Sequence, residues 1–464
     1  MAEQRDRPNT TMHRRDTALD VLTQAVIRYA VDRMRLDPPP LDGPRTSAEL
    51  QAMAGRTVTP AGIGGLEALR VFAEVLAPAC ISVDHPKYLS FVPAAPTEVS
   101  ILFDLVVGAS SIYAGSWLEG SGAVFAENEA LAWIASLAGL PRDAGGVFVP
   151  GGSAGNLSAL VAARHHWREQ HPSVAHERGM IVASDGVHSS ITSAAKIMDV
   201  DVVRVEPGEH GRLRRDHLVA AVDALDALDR ARVFAVVATA GTTNLGIVDD
   251  LAGAADVAAS NGWWLHVDGA YGGAALAAPS VRFRFDGIER ADSFVVDPHK
   301  WLFAPYDCCA LIYRQPEIAR RAHTQRAEYL DVLTDSGEWN PSDYAYHLTR
   351  RARGLPFWFS LATHGTDQYR DAVEACLTTT REAAALIDSL DHVEMIVPPE
   401  LSILVFRRKG WSAADYQRWS DKALDDGLTL TVPTSLKGET VLRFCIVNPR
   451  TTVSDLATIL ESMA

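Results

Sequence analysis

The chain has 464 residues, a formal net charge of −15, 47% hydrophobic and 22% charged residues. This is an ordinary globular composition, with apolar mass for a large core and length for two or three structural units. The acidic balance argues against nucleic acid as a partner, which requires phosphate-neutralising lysine and arginine, and no apolar run reaches the roughly 18 residues of a membrane span.

Residues 1–16 mix arginine with acidic side chains and lack an apolar stretch, so a disordered leader is expected rather than a secretory signal. Asp16 is a candidate N-cap. Behind it Leu19, Leu22, Val26, Tyr29 and Met34 recur at helical spacing until Asp37 and the prolines 38–40 stop the pattern. Thr46 and Glu49 form a capping-box pair, and Gly64-Gly65 precedes a third helix expected over Leu66–Val75. Three small amphipathic helices within 17–87 cannot bury their faces alone and must pack on the body of the chain or on a partner subunit.

From Tyr88 the character changes. Val147–Val149, Met180–Ala183, Val202–Val205, Val233–Ala238, Trp263–Val267, Ser293–Val296 and Ala310–Tyr313 read as strands, with alanine-rich helices such as Leu157–Glu169 and Ala252–Ala259 between them. Short apolar strands alternating with helices predict an α/β unit over 88–387, a mainly parallel seven-stranded sheet covered on both faces. From 388 to 464 the pattern becomes a smaller α+β unit. Its expected strands are Val393–Val397, Ser402–Phe406, Leu428–Val432 and Val441–Ile446, and its expected helices Ser412–Asp426 and Thr452–Ser462. The five cysteines, Cys80, Cys308, Cys309, Cys376 and Cys445, show no metal-ligand spacing. Their odd number predicts reduced thiols in a cytoplasmic protein without a metal site.

Ligands of open α/β sheets bind beyond the carboxyl ends of the strands, and the chemically suggestive residues sit there. Gly151-Gly-Ser-Ala-Gly-Asn156 follows the first strand and opens a helix, where small residues and free N–H groups suit an anion such as phosphate. The dinucleotide fingerprint is not met. His188 follows the second strand; an imidazole can stack on a flat ligand or transfer protons, and equally can simply start a helix. Gly241-Thr-Thr243 offers hydroxyls after the fourth strand. Asp268 ends the fifth, followed by small residues that leave room for a flat ligand; its carboxylate needs a cation or donor, and capping a turn is the alternative. Lys300 follows the sixth strand in Asp297-Pro-His-Lys-Trp301. Burial lowers a lysine pKa, and a neutral amine is what Schiff-base chemistry needs, although a surface lysine after a strand fits the stretch taken alone. In combination these residues form a parts list for pyridoxal phosphate: anchor, ring stack, oxygen contact, pyridinium partner and Schiff-base lysine.

The sequence resembles the pyridoxal-phosphate group II decarboxylases, notably the aromatic L-amino acid decarboxylases. The resemblance runs from the His85-Pro-Lys-Tyr88 region to Arg443, and is strongest in Trp264-Leu-His-Val-Asp-Gly-Ala-Tyr271 and Asp297-Pro-His-Lys-Trp301. It implies the fold-type-I transferase architecture and a homodimer with the N-terminal helices wrapped on the partner. It implies that Lys300 carries the cofactor, Asp268 pairs with the ring nitrogen and His188 stacks on the ring. Gly152, Ser153 and His299 then lie at phosphate positions, and Thr243 and Ala270 contact the cofactor. Tyr329 matches a lid tyrosine that protonates the product carbanion. Asp297 stands where animal members carry Asn, near the phosphate, and its own role is open. Phe91, Ala94, Thr349 and Arg443 fall at substrate positions, and the bulk of Thr349 favours a phenol or smaller side chain over an indole. The implied activity is decarboxylation of an L-amino acid, with an aromatic one expected. The alternatives are a non-aromatic substrate or oxidative deamination to an aldehyde.

Overall fold

The computed structural model of the chain describes residues 11–13, 15–325 and 337–464. Most of the expected leader, and Tyr329, lie outside the described residues.

Seven strands form the large sheet: β1 (Gly145–Val149), β2 (Met180–Ser184), β3 (Asp201–Val205), β4 (Val233–Thr239), β5 (Trp264–Asp268), β6 (Ser293–Val296) and β7 (Cys309–Tyr313). Their spatial order is β1-β7-β6-β5-β4-β2-β3. β3, β2, β4, β5 and β6 pair in parallel, and β7 runs antiparallel to both β6 and β1. One reversed strand between β6 and β1 leaves those two pointing the same way, so six strands deliver their carboxyl ends to one edge.

Alternate residues of each strand enter different cores. Val147, Val149, Ile181, Val237 and Leu311 pack with Ala159, Leu160 and Ile191 on one face. Phe148, Val182, Val236, Val267 and Ile312 pack with Ala254, Ile288 and Phe357 on the other. Both faces are covered, so β2, β4 and β5 are buried at every residue, and β2 and β4 read as near-continuous apolar runs rather than alternating ones.

The N-terminal helices are α1 (Thr17–Met34), α2 (Ser47–Ala54) and α3 (Gly65–Val71). Asp16 caps α1 by accepting from Leu19 N, and Thr46 and Glu49 close the expected capping box of α2. The chain beyond α3 continues as a wide turn over Phe72–Leu76, the second half of the helix expected there. α1 buries none of its residues within its own chain. Two further helices, α4 (Glu98–Ala109) and α5 (Trp117–Leu137), lead into β1.

A second sheet has the order β10-β11-β9-β8, from β8 (Val393–Val397), β9 (Ile403–Arg408), β10 (Thr434–Leu436) and β11 (Glu439–Cys445). The strand expected over Leu428–Val432 is not part of it. That segment pairs instead with the loop before α4: Leu89 N donates to Leu430 O at 3.0 Å and Leu430 N to Lys87 O at 3.1 Å. Its apolar letters face a small core with Leu41 and Tyr88, and the true sheet strand begins after the turn. Among the described residues no helix is long and apolar enough to cross a membrane.

Candidate active site

The carboxyl edge of the large sheet opens into a cavity of about 780 Å³. Gly152, Ser153, His188, Thr243, Asp268, Ala270, Asp297, His299 and Lys300 all line it. Residues scattered over 149 positions of sequence meet because each follows a strand of the same sheet.

The floor is the start of α6 (Gly152–Gln170). Gly151, at φ 138°, makes the turn out of β1 in a conformation suited to glycine. A side-chain carbon on Gly152 would stand 3.0 Å from Ala270 Cβ and 3.3 Å from Asp297 Oδ2. The floor is therefore kept open by the absence of a side chain, beside the first N–H groups of a 19-residue helix.

Asp268 is 4% exposed. Its Oδ2 accepts from Asn156 Nδ2 at 2.8 Å and its Oδ1 from Ala270 N at 3.1 Å. His188 stands before α7 (Ser189–Met198), and its Nδ1 accepts from Ser190 N at 3.2 Å. Thr242 and Thr243 both line the cavity, and the Thr242 hydroxyl also accepts from Ile247 N at 3.2 Å within the turn.

Lys300 departs from the neutral amine expected from burial. Its Nζ lies 2.8 Å from Asp297 Oδ2. Burial pushes the amine down, but the Asp297 carboxylate and the more distant Asp268 outweigh it, and the net shift is upward. Asp297 moves the other way: burial raises it, and the charges of Lys300 and His299 bring it below the usual carboxylate range. Asp297 is therefore aimed at Lys300 as its counter-ion. Its Oδ1 has no nitrogen or oxygen donor among the described residues. His299 Nδ1 lies 2.7 Å from the Cys308 carbonyl oxygen and 3.1 Å from Cys308 N, and its Nε2 lies 3.7 Å from Asp297 Oδ2. Burial, ahead of the Asp297 charge, keeps the His299 pKa below its ordinary value.

The four residues expected at the substrate lie outside this lining. Ala94 borders an adjoining cavity of about 740 Å³, which shares Tyr306 with the first. Arg443 is buried, donates from Nη2 to Phe91 O at 2.7 Å, and leaves Nη1 without a partner among the described residues. Phe91 and Thr349 are exposed.

Sequence reasoning gave no role to Asn156, Ser190 or Tyr306. Asn156 is 1% exposed inside a helix, where an amide is a poor helix former, and that mismatch was the available signal. Tyr306 stands against the His299 ring with centroids 4.9 Å apart, in a turn with no periodicity to mark it.

The donor set fits pyridoxal phosphate: a side-chain-free anion floor at a helix start, a carboxylate beyond a strand end, an imidazole and a lysine converge on one cavity. Residues 67–409 match the family described as "Pyridoxal-dependent decarboxylase conserved domain". The aromatic-L-amino-acid decarboxylase of Bacillus atrophaeus is 32% identical over 390 residues, 82% of this chain and 80% of its own length. The L-2,4-diaminobutyrate decarboxylase of Rhizobium meliloti (strain 1021) is 29% identical over 400 residues, covering 82% and 78%. Among solved structures, Oryza sativa TDC with PLP and tryptamine superposes at TM-score 0.86 with 24% identity over 96% of each chain, a likeness of fold.

Proposed function

The chain belongs to the pyridoxal-dependent decarboxylases, and on that footing we propose that its substrate is an aromatic L-amino acid, converted to the amine and carbon dioxide. It is a pyridoxal-phosphate-dependent carboxy-lyase. The observation that carries the reading is the convergence of Lys300, Asp268, His188 and the Gly152 floor on one cavity. The aromatic choice is supported by the substrate class of the Bacillus atrophaeus relative.

Gly152, Ser153 and His299 would hold the phosphate, Asp268 the ring nitrogen, His188 a ring face, Thr243 and Ala270 the ring periphery, and Lys300 the aldehyde carbon. Bound pyridoxal phosphate supplies an electron sink for the pair left behind when the carboxylate departs as carbon dioxide. The chain supplies positioning and proton control. Asp268, with both oxygens already acceptors, is placed to hold a proton at the ring nitrogen. Lys300 must lose its proton before it acts as a nucleophile, and the Asp297 carboxylate 2.8 Å away holds that proton on until the contact is released. Tyr329 is assigned the proton delivered to the product carbon. Thr349 and Arg443 are assigned to the substrate, and the exposure of Thr349 and the spare Nη1 of the buried Arg443 are compatible with a surface completed by a second subunit.

The assembly proposed is a homodimer. α1 supports it, since a helix with Leu19, Val26 and Ile27 all exposed needs a covering surface. The five unpaired cysteines are compatible with a cytoplasmic location.

The test is a screen of the twenty common amino acids with the loaded enzyme for carbon dioxide and amine, with Lys300→Ala as the blank. Amine and carbon dioxide from phenylalanine, tyrosine or tryptophan are expected. Carbon dioxide from none of them overturns the aromatic assignment. Release from 2,4-diaminobutyrate, added as a further substrate, would favour the second reading that the Rhizobium meliloti relative suggests.

A further inference from the structure

A continuous line of buried polar groups runs from the protein interior to the cavity, which Asn156 and Ser190 themselves line. Trp264 Nε1 donates to Ser293 Oγ at 2.8 Å. Ser293 Oγ lies 2.8 Å from His266 Nδ1, and His266 Nε2 lies 2.8 Å from Asn156 Oδ1. Asn156 Nδ2 reaches both Ser190 Oγ at 2.9 Å and Asp268 Oδ2 at 2.8 Å. Ser190 Oγ in turn lies 2.9 Å from His188 Nδ1. Asn156 is 1%, His266 0%, Ser293 1% and Ser190 6% exposed, so water does not compete for these bonds.

The chemistry of the end groups fixes the direction of every bond. An ionised carboxylate only accepts, so the amide edge facing Asp268 must be the Nδ2 edge. Both Nδ2 hydrogens are then spent, on Asp268 and Ser190, and Asn156 Oδ1 must accept from His266 Nε2. An indole only donates, so Ser293 Oγ accepts from Trp264. Burial, foremost, pushes the His266 pKa down to about 4, and the neutral ring, whose one proton on Nε2 goes to Asn156 Oδ1, accepts at Nδ1 from Ser293 Oγ. At the far end Ser190 accepts from Asn156 and donates to His188 Nδ1. The Ser190 backbone N–H donates to the same nitrogen at 3.2 Å, so that nitrogen is an acceptor on two independent grounds.

We propose that Asn156 and His266 are positioning residues: the one-way hydrogen-bond line from Trp264 fixes His188 as the Nε2–H tautomer and holds the Asp268 carboxylate in place for the cofactor's ring nitrogen. The inference rests on the reading that Asp268 and His188 flank the cofactor ring. It adds that two residues outside the set assigned to the cofactor set the state of two within it.

The direct measurement uses wild-type holoenzyme labelled with ¹⁵N at histidine, with His188→Gln to assign the signal. His188 is expected to show an unprotonated Nδ1 and a protonated Nε2; a protonated Nδ1 overturns the proposal. The perturbation compares Asn156→Asp, which removes both donors and sets a second carboxylate against Asp268, with His266→Leu and His266→Gln. Asn156→Asp should bind pyridoxal phosphate about tenfold more weakly or worse, a loss in the range of a hydrogen bond to a charged group. It should also shift the visible band of the bound cofactor. His266→Leu should move both readouts the same way, while His266→Gln, which keeps an N–H toward Asn156, should stay close to wild type. Equal behaviour of His266→Leu and His266→Gln would reduce His266 to packing and overturn its part. Wild-type protein with no cofactor band on Lys300 would instead sink the decarboxylase reading. The His188 tautomer, read also without cofactor, would still be decided separately.

Discussion

Replacing Arg350 by methionine should destabilise the fold more than any surface change, and removing Glu127 as well should restore part of the loss. Arg350 is fully buried and its partner Glu127 3% exposed. Two Arg350 nitrogens donate to the Glu127 carboxylate at 2.7 and 3.0 Å, and they also reach Ala114 O at 2.6 Å and Phe148 O at 3.2 Å. Glu127 further accepts from Gly354 N at 2.8 Å. Arg350→Met therefore leaves a buried carboxylate without its cation, at a cost of about 3–5 kcal/mol, with two carbonyls unpaired beside it. The double variant Arg350→Met, Glu127→Leu removes the stranded charge. It still lacks donors for the carbonyls and an acceptor for Gly354, so it should recover only about 2 kcal/mol. Urea unfolding followed by tryptophan fluorescence reads both. The reasoning is refuted if Arg350→Met loses less than about 1 kcal/mol, the scale of an exposed pair, or if the double variant is no better than the single one.

Asp297→Asn removes the counter-ion of Lys300, so the amine loses its upward shift; the pH profile for capture of pyridoxal phosphate should move toward lower pH, and an unmoved profile would refute the assignment. Tyr329→Phe should slow amine formation and divert part of the flux to aldehyde with oxygen uptake, and unchanged amine production would remove Tyr329 from proton delivery. His323 is 7% exposed, donates from Nε2 to Ser158 O at 3.0 Å, and is lowered to about 4, chiefly by burial. With the folded pKa below the unfolded value of about 6.5, the unfolded chain takes up the proton first as pH falls. Stability is then lost between about pH 6.5 and 4, by up to about 3 kcal/mol for this residue. His323→Gln should flatten that part of the stability–pH curve relative to wild type, and parallel curves would show that His323 does not contribute.

Most strands of the large sheet were legible because they are short apolar runs ended by glycine, proline or a polar residue, and burial on both faces forces that pattern; the edge strand β3, with Arg204 exposed, follows it less closely. Gly152, Asp268 and Lys300 were legible as a set because a parallel sheet brings its strand ends together whatever their distance in sequence. Leu428–Val432 misled for the same reason that the others succeeded: it has strand letters, but its partner is the loop at Lys87–Leu89, and pairing partners are not written in composition. The charge state of Lys300 depends on a contact only 2.8 Å long, and a lysine three residues after an aspartate carries no mark of whether the two side chains meet. Asn156 was hidden in a glycine-rich motif whose small residues drew the attention.

The reversed strand β7 has a mechanical consequence. Most elements at the cavity hang from one strand end and run off into a helix, like cantilevers. The segment bearing Lys300 leaves β6 and returns along β7, where Val296 and Ala310 are paired neighbours. It is also tied across its base by His299 N to Cys308 O at 3.3 Å and by Ala304 N to Pro298 O at 3.1 Å. It is a beam clamped at both ends. The turn at Gly241 is closed in a similar way, by Thr242 N to Ile247 O at 2.8 Å and by the Ala240–Val248 bridge, so the deformation needed to admit and release ligands should fall on the turn at His188, which leaves β2 and runs directly into α7. Hydrogen exchange should find that turn opening while the backbone around Lys300 stays closed.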